Sequence, residues 1–285
     1  MPEHFEIHVP VEAPGDNPVA LLHAACSLSR QQIKTAMAQG AVWITRGSQS
    51  QRLRRAKRAV QPGDMLHLYY DAAIQAEDPP PPVLIADTCG YSVWNKPRGL
   101  RSQGSKWGDH CTVARWAEQH LVPQRTGFTV HRLDRAAAGL MLVAHSKKVA
   151  ADLSRLFRQR RIEKRYRAVV AGGLQAPLSP LRITQALDGK SAVSELRVLA
   201  EAPDGTRTLI DVRIESGRKH QIRRHLAGIG HPIVGDRLYG GASGDDVDLQ
   251  LTAYLLAFEC PVTNQPVKYE LPECNLPGLA SPALP

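Results

Sequence analysis

Three short stretches concentrate side chains able to act on a polar substrate. In residues 130–148 a single acid, Asp134, stands between Arg132 and Arg135 with His131 nearby, and small residues 136–139 follow before an apolar run. Flanking cations favour the charged form of a carboxylate, and small neighbours leave room for a substrate to approach it. In residues 163–170 Tyr166 lies among Lys164, Arg165 and Arg167. An aromatic ring in a basic cleft is what stacking on a nucleobase requires, an interaction worth about 1–3 kcal/mol per base. In residues 215–240 Arg223 and Arg224 fall early on a predicted helix. An arginine can hold a carboxylate through two parallel hydrogen bonds and so fix its orientation. Taken singly, each stretch has a plainer explanation: a surface salt bridge, a core tyrosine sharing its strand face with Ala168 and Val170, and a solvated basic helix face.

The elements that must hold these residues mix strands and helices. Leu140 to Val143 reads as a strand; Tyr166, Ala168 and Val170 alternate on another, as do Thr208, Ile210, Val212 and Ile214 on a third. Ser146 is placed to cap a helix whose stripe is Val149, Leu153, Leu156 and Phe157, and a later helix carries Ile222, Leu226 and Ile229 and stops at Gly230. Strands and helices do not alternate in a βαβ rhythm, so the fold class is α+β rather than a doubly wound sheet. Nearer the N-terminus, residues 17–25 predict a short helix. Ser29 and Gln32 form a capping-box pattern ahead of the stripe Ile33, Ala36 and Met37. Arg30 and Lys34 share another face of that helix, and Gly40 is placed to end it. Residues 41–44 predict a strand; after a Pro62-Gly63-Asp64 turn, Leu66, Leu68 and Tyr70 alternate as a second. The sharpest boundary is Glu77-Asp78 followed by four prolines, Pro79 to Pro82, which lack amide donors and favour an extended spacer. The predicted organisation is a small domain at 1–76, a linker at 77–82, a larger domain at 83–275 and a Pro- and Ala-rich, poorly ordered tail at 276–285.

At 285 residues the chain has room for a medium domain and a small one, and its 43% hydrophobic and 22% charged residues suit a globular protein. No apolar run approaches the ~20 residues that span a bilayer, so no membrane partner is expected. The start, Met1-Pro2-Glu3-His4-Phe5-Glu6, lacks the apolar core of a secretory signal, which points to the cytoplasm. The five cysteines, Cys26, Cys89, Cys111, Cys260 and Cys274, form no C-x-x-C pair and read as reduced and structural. No His/Cys group has metal-ligand spacing. Gly228-Ile229-Gly230 is followed by His231-Pro232-Ile233-Val234-Gly235, which breaks a dinucleotide-binding pattern; neither metal nor nucleotide cofactor is expected. The net charge of +9 is unevenly placed. Residues 46–58 hold Arg46, Arg52, Arg54, Arg55, Lys57 and Arg58 without an acid, and residues 155–167 hold seven cations against Glu163. Such density suits a nucleic-acid backbone.

Two resemblances follow from these motifs. Over roughly residues 17–71, "LSRQQIKTAMAQGAVWI", the basic stretch and "VQPGDMLHLYY" resemble the S4-type RNA-binding domain, which lays a helix pair and a basic loop on structured RNA. Thr45-Arg46-Gly47 departs from it, an Asn-Gly being common there. The resemblance implies RNA contacts from Arg30, Lys34, Arg52, Arg54, Arg55, Lys57 and Arg58. Over roughly residues 88–275 the chain is similar to the RluA-type pseudouridine synthases. His131-Arg132-Leu133-Asp134-Arg135-Ala136-Ala137-Ala138-Gly139-Leu140 matches H-R-L-D-x-x-T-S-G-L, and Lys164-Arg165-Tyr166 matches K-x-Y. The run from Gly217 to His225 matches G-R-x-H-Q-x-R-x-H, and that from His231 to Tyr239 matches H-P-x-x-G-D-x-x-Y.

The second resemblance implies a mixed, largely antiparallel central sheet with flanking helices, and cofactor-free isomerisation of uridine. Asp134 would be the essential carboxylate, attacking covalently or assisting elimination. Tyr166 would stack on the uracil and assist proton movement at C5, Arg223 would pair with Asp134, and His131, Arg132, Arg135 and Lys164 would contact RNA. Arg132 would fill the space left by a flipped base. The expected partner of a monomeric chain is structured RNA, ribosomal in preference to transfer RNA because S4-type modules suit large structured RNA. Two departures stand out: Ala137-Ala138 replaces Thr-Ser, and Thr252 stands where the family often has His. A catalytically inactive RNA-binding protein is the competing reading. A glycosidic hydrolase is another, but it ordinarily needs two carboxylates, and these motifs offer no second acid.

Overall fold

A computed structural model describes residues 3–88, 90–174, 179–240 and 247–279. The chain divides into two compact units, Met1–Pro79 with Gln103–Trp116, and Pro80–Ser102 with Ala117–Pro285.

In the first unit, β1 (His4–Pro10), β2 (Val42–Arg46), β3 (Gln49–Arg52) and β4 (Met65–Asp71) form an antiparallel sheet ordered β1-β4-β2-β3. Three helices accompany it: α1 (Pro18–Ala24), α2 (Arg30–Ala38) and the single turn α3 (Ala72–Gln75). α2 starts where its cap dictates: Ser29 Oγ accepts from Gln32 N while Gln32 Oε1 accepts from Ser29 N. Ile33 and Met37 of α2 pack on Ile44, Leu66 and Leu68 of the sheet, all buried. Residues 103–116, which the sequence reading placed with the second domain, fold within this unit because its cations need them. Trp43 Nε1 donates to Lys106 O at 3.0 Å, Arg52 Nη2 donates to Ser105 O at 2.8 Å, and Asp109 neutralises both Arg52 and Arg54.

The second unit is built on a ten-stranded sheet among the described residues, along the path β10-β11-β12-β9-β13-β8-β6-β5. Its strands are β5 (Val83–Asp87), β6 (Tyr91–Lys96), β7 (Phe128–Thr129), β8 (Ala138–Ala144), β9 (Glu163–Ala171), β10 (Leu181–Ile183), β11 (Ser194–Glu201), β12 (Arg207–Ile214), β13 (Leu251–Glu259) and β14 (Pro266–Glu270). β14 pairs with β13 and β7 with β8. The helices are α5 (Lys147–Arg158) and α6 (Gln221–Gly228), with the second half of α4 (Val113–His120), whose first four residues belong to the first unit. Ser146 caps α5 through Val149 N, and Val149, Leu153 and Leu156 pack on Leu140, Leu142 and Phe258. Ile222 and Leu226 of α6 pack on Ala168, Val170, Ile210 and Val212 of β9 and β12. The pairings are antiparallel except β8 with β13, so the architecture is α+β. Cys26, Cys111, Cys260 and Cys274 are free thiols; Cys89 and tail residues 280–285 lie outside the described residues. No helix among the described residues is long and apolar enough to cross a membrane.

The parallel pairing places Ala138 beside Thr252 and Gly139 beside Ala253. Gly139 has φ +121°, and a Cβ on it would overlap the Ala253 carbonyl and amide. Only glycine combines that backbone angle with so close an approach. Gly139→Ala should therefore destabilise the chain by about 3 kcal/mol or more. Urea unfolding followed by circular dichroism would check this; a loss below about 1 kcal/mol would mean that β8 and β13 separate freely.

Candidate active site

Asp134 lies on the loop between β7 and β8, and backbone bonds pin that loop. Ser102 Oγ donates to Leu133 O at 2.6 Å and accepts from Leu133 N at 2.9 Å. Gly99 N donates to Arg135 O at 2.9 Å, and Ala137 N to Asp134 O at 3.1 Å. Lys96, wholly buried at the end of β6, donates from Nζ to Pro97 O and Leu100 O at 2.9 Å each and to Arg135 O at 3.4 Å. Burial pulls its pKa down to about 7, with the Asp134 charge opposing that fall.

The other side of Asp134 is set by α6. Arg223 has a side chain only 5% exposed, and its Nε and Nη2 donate to Asp236 Oδ2 and Oδ1 at 2.8 and 2.7 Å. Asp236 is closed to solvent and also accepts from Leu238 N and Tyr239 N. Burial pushes the Asp236 carboxyl up, but Arg223 and these amides bring it below the usual range. Burial likewise works against the Arg223 cation, and the two carboxylates more than restore it. The remaining nitrogen, Nη1, points to Asp134 Oδ2 at 3.3 Å. His220 caps α6 in the left-handed region at φ 54° and makes no side-chain cap bond. Its Nε2 lies 3.8 Å from Asp134 Oδ1 and its Nδ1 lies 2.9 Å from the Tyr239 hydroxyl. Below this turn, Gln221 Oε1 accepts from Ser216 Oγ and Arg218 N, and Gln221 Nε2 donates to Val193 O.

Asp134, His220, Gln221 and Arg223 line a cavity of about 600 Å³, with Tyr166 of β9, His131, Arg132 and Lys164 also on its walls. That volume falls in the range of small-molecule sites. Burial, and then the Asp134 charge, raise the Tyr166 pKa, so the ring stays a neutral phenol. The site thus combines an oriented carboxylate, an aromatic wall and a cationic rim. Among the described residues no group of three or more His, Cys, Asp or Glu side chains is placed to hold a metal ion.

The RNA pseudouridylate synthase family model matches residues 90–228, the stretch that holds Asp134, Tyr166, His220 and Arg223. The chain is 32% identical over 199 residues to the dual-specificity RNA pseudouridine synthase RluA of Pasteurella multocida, across 64% of this chain and 89% of that protein. The chain belongs to the RluA-type pseudouridine synthase family. It is also 29% identical to an uncharacterized RNA pseudouridine synthase of Aquifex aeolicus, across 89% of this chain and 88% of that one. The structure of human RNA pseudouridylate synthase domain containing 1 superposes with a TM-score of 0.59 at 25% identity, over 70% of this chain and 88% of that one. The reaction class is therefore isomerisation of uridine in RNA.

Within this synthase, Asp134, Tyr166 and Arg223 converge on one cavity, and His131, Arg132 and Lys164 share its walls. His131 is turned inward: its ring stacks on Phe157 at 4.3 Å and Nε2 accepts from Leu142 N. Burial holds that imidazole down to about 3, so it stands neutral on the cavity wall. Lys164 is brought to about 8 by burial. Arg135 donates from Nε to Gly99 O, bracing the loop. In the first unit Arg30, Lys34, Arg55 and Lys57 are exposed and Arg58 half-buried. Arg52 and Arg54 share Asp109, and Arg52 also stacks over Trp43 at 4.4 Å. Sequence reasoning gave no role to Lys96, Ser102, Asp236 or His220. Asp236 and His220 sit inside quoted motifs, but nothing in the spacing says what they touch; Lys96 and Ser102 carry no pattern.

The buried Lys96 gives a pH dependence with a definite sign. Its folded pKa near 7 lies below the unfolded value of about 10.4. The cost of holding its charge in the fold is complete below pH 7 and gone above about 10.4. Between those limits the unfolded chain binds the extra proton and stability rises with pH. Lys96→Met should remove up to roughly 4 kcal/mol of that rise. Chemical denaturation of both proteins from pH 7 to 10 would check it, reading the slope because lost hydrogen bonds shift only the level.

Proposed function

We propose that Asp134 is the catalytic carboxylate with which this synthase isomerises uridine in structured RNA. The observation that carries the reading is the Asp134 carboxylate facing Arg223 at 3.3 Å in a cavity walled by Tyr166. The reaction breaks the N1–C1′ bond, turns the base and rejoins it through C5. Asp134 either forms a covalent bond with the sugar or base or takes a ribose proton to assist elimination. The uracil stacks on Tyr166, and Arg223, itself fixed by Asp236, keeps Asp134 aimed. A uridine within a helix is out of reach, so the target is flipped out or already unpaired. Arg132, exposed at the rim, occupies the space it leaves.

Residues 1–76, together with 103–116, act as an S4-like RNA-binding module, residues 77–82 as a spacer and the rest of 83–275 as the catalytic domain. The module's exposed Arg30, Lys34, Arg55 and Lys57 meet RNA phosphates. The target is ribosomal RNA in preference to transfer RNA, and the protein works as a cytoplasmic monomer.

Two measurements test this. With RNA labelled by tritium at uracil C5, drawn from cells lacking the protein, wild type should release the label and Asp134→Asn should release it at least about 10³-fold more slowly. Near-normal release by the variant would remove Asp134 from the mechanism. Arg55→Ala combined with Lys57→Ala should lower the slope of log affinity against log salt by about 2; an unchanged slope would place the RNA elsewhere.

A further inference from the structure

Four non-glycine positions among the described residues enter the left-handed region: Arg160, Asp188, His220 and Asn264. Asn, Asp and His are the side chains found there most readily, so Arg160, at φ 60°, is the exception. It stands just past the end of α5. Arg160 N donates to Phe157 O at 3.2 Å and Arg161 N to Leu156 O at 2.9 Å. These two bonds close a helix on a left-handed residue, a place that glycine ordinarily fills because a Cβ there is strained. Glycine would serve the turn better, so the arginine is accounted for by what its side chain reaches.

That side chain lines the cavity of Asp134. The cations of residues 155–167 sort by what they face. Arg155 and Arg161 lie off the cavity and each meets an acid, Asp152 at 2.8 Å and Glu259 at 3.8 Å. Arg165 meets Glu163 and Asp211, and Arg167 meets Glu273. Arg158, Arg160 and Lys164 are on the cavity wall, and none of them has an acid within ion-pair distance among the described residues. The two acids on that wall are turned elsewhere, Asp134 to Arg223 and Glu215 to Arg182, at 3.3 Å each. Lys164 is brought down to about 8 by burial and then by the charge of Arg160, so these cations act on one another. Like charges gathered without an acid repel, and a bound anion removes that repulsion.

We propose that Arg160, with Arg158 beside it on the cavity wall, binds a backbone phosphate of the RNA strand that delivers the target uridine. This rests on the reading of the cavity as the uridine site given above. A uridine that reaches Asp134 and Tyr166 within an RNA strand carries a phosphodiester on either side, so an anion accompanies the base into the site. A guanidinium takes two phosphate oxygens through parallel hydrogen bonds, which fix position as well as adding affinity. Such a contact sets the register of the strand and carries no sequence information. Arg160 takes no part in breaking or making the glycosidic bond, so its loss acts on KM rather than on kcat.

The test compares wild type with Arg160→Gly, which suits the positive φ. Its urea midpoint should match or exceed that of wild type, since the turn is relieved of its Cβ. In tritium release from C5-labelled RNA of cells lacking the protein, KM should rise about 10-fold with kcat little changed. The slope of log kcat/KM against log salt should fall by about 1. Arg160→Lys, which keeps the charge, should retain most of that slope. Arg155→Ala, at the same helix end but paired with Asp152 off the cavity, should behave as wild type. An Arg160→Gly protein as stable as wild type, with KM and slope unchanged, would make the arginine a tolerated end to α5 and overturn the proposal. An equal loss in Arg155→Ala would also overturn it, pointing to a diffuse field rather than a contact. Should Arg160→Gly fail to fold, Arg160→Asn is read in its place, because asparagine tolerates the left-handed region. If wild type itself releases no tritium, the reading of the reaction falls; retention of the same RNA on filters at rising salt then decides the phosphate contact by the same difference in slope.

Discussion

A guanidinium taken out of water must be neutralised in place, and the site is organised around that constraint. Arg223 is nearly inaccessible, and Asp236 meets it with two short parallel bonds. A planar guanidinium held along one edge has no freedom left in its other edge. The nitrogen that remains, Nη1, therefore points where α6 dictates, at Asp134. The order of dependence runs from Ile222 and Leu226 packed on β9 and β12, to the helix axis, to the arginine plane, to one carboxylate oxygen. Asp134 sits on a loop, yet its orientation is inherited from a helix buried on the sheet.

The loop itself is held by a second buried cation used differently. Lys96 has no carboxylate at hydrogen-bond distance and donates instead to three carbonyls, two from residues 97–100 and one from Arg135. A point charge with three rotatable donors can gather carbonyls that a planar fork could not. Arg223 thus fixes the direction of the carboxylate, and Lys96 fixes the backbone that presents it. Burying both cations beside Asp134 is costly, and each carries enough partners to persist.

What could be read in the sequence was local. The Ser29–Gln32 box, the Ser146 cap and the alternation of Leu66 with Leu68 each rest on contacts within a few residues, and each stands in the structure. The meeting of Asp134 with Arg223 spans 89 residues and was legible only through resemblance. β1 escaped notice because its exposed positions are His4, Glu6 and His8, which make the segment look like a polar terminus; its half-buried Phe5, Ile7 and Val9 show the alternation. The place of residues 103–116 in the first unit also escaped, because it depends on Asp109 answering Arg52 and Arg54, more than fifty residues earlier. Those two arginines looked like free RNA contacts for the same reason: a cation's solvent exposure is decided by where the acids fold, which spacing does not reveal.

The two departures from the family pattern turn out to be one. Ala138, where the family has Ser, and Thr252, where it often has His, are register partners across the parallel β8–β13 pairing. A hydroxyl facing an imidazole there would satisfy both polar groups in a buried place; replacing one alone would strand the other. Here the serine position has lost its hydroxyl and the histidine position has become a smaller side chain, so both changes remove volume and polar atoms at one register. The remainder is Thr252 Oγ1, which is buried and without a hydrogen-bond partner. Ala137, 2% exposed, takes its place in the apolar cluster with Ala168 and Leu251, where a hydroxyl would need a partner of its own. With these residues in place, Asp134, Tyr166 and Arg223 still share the cavity wall.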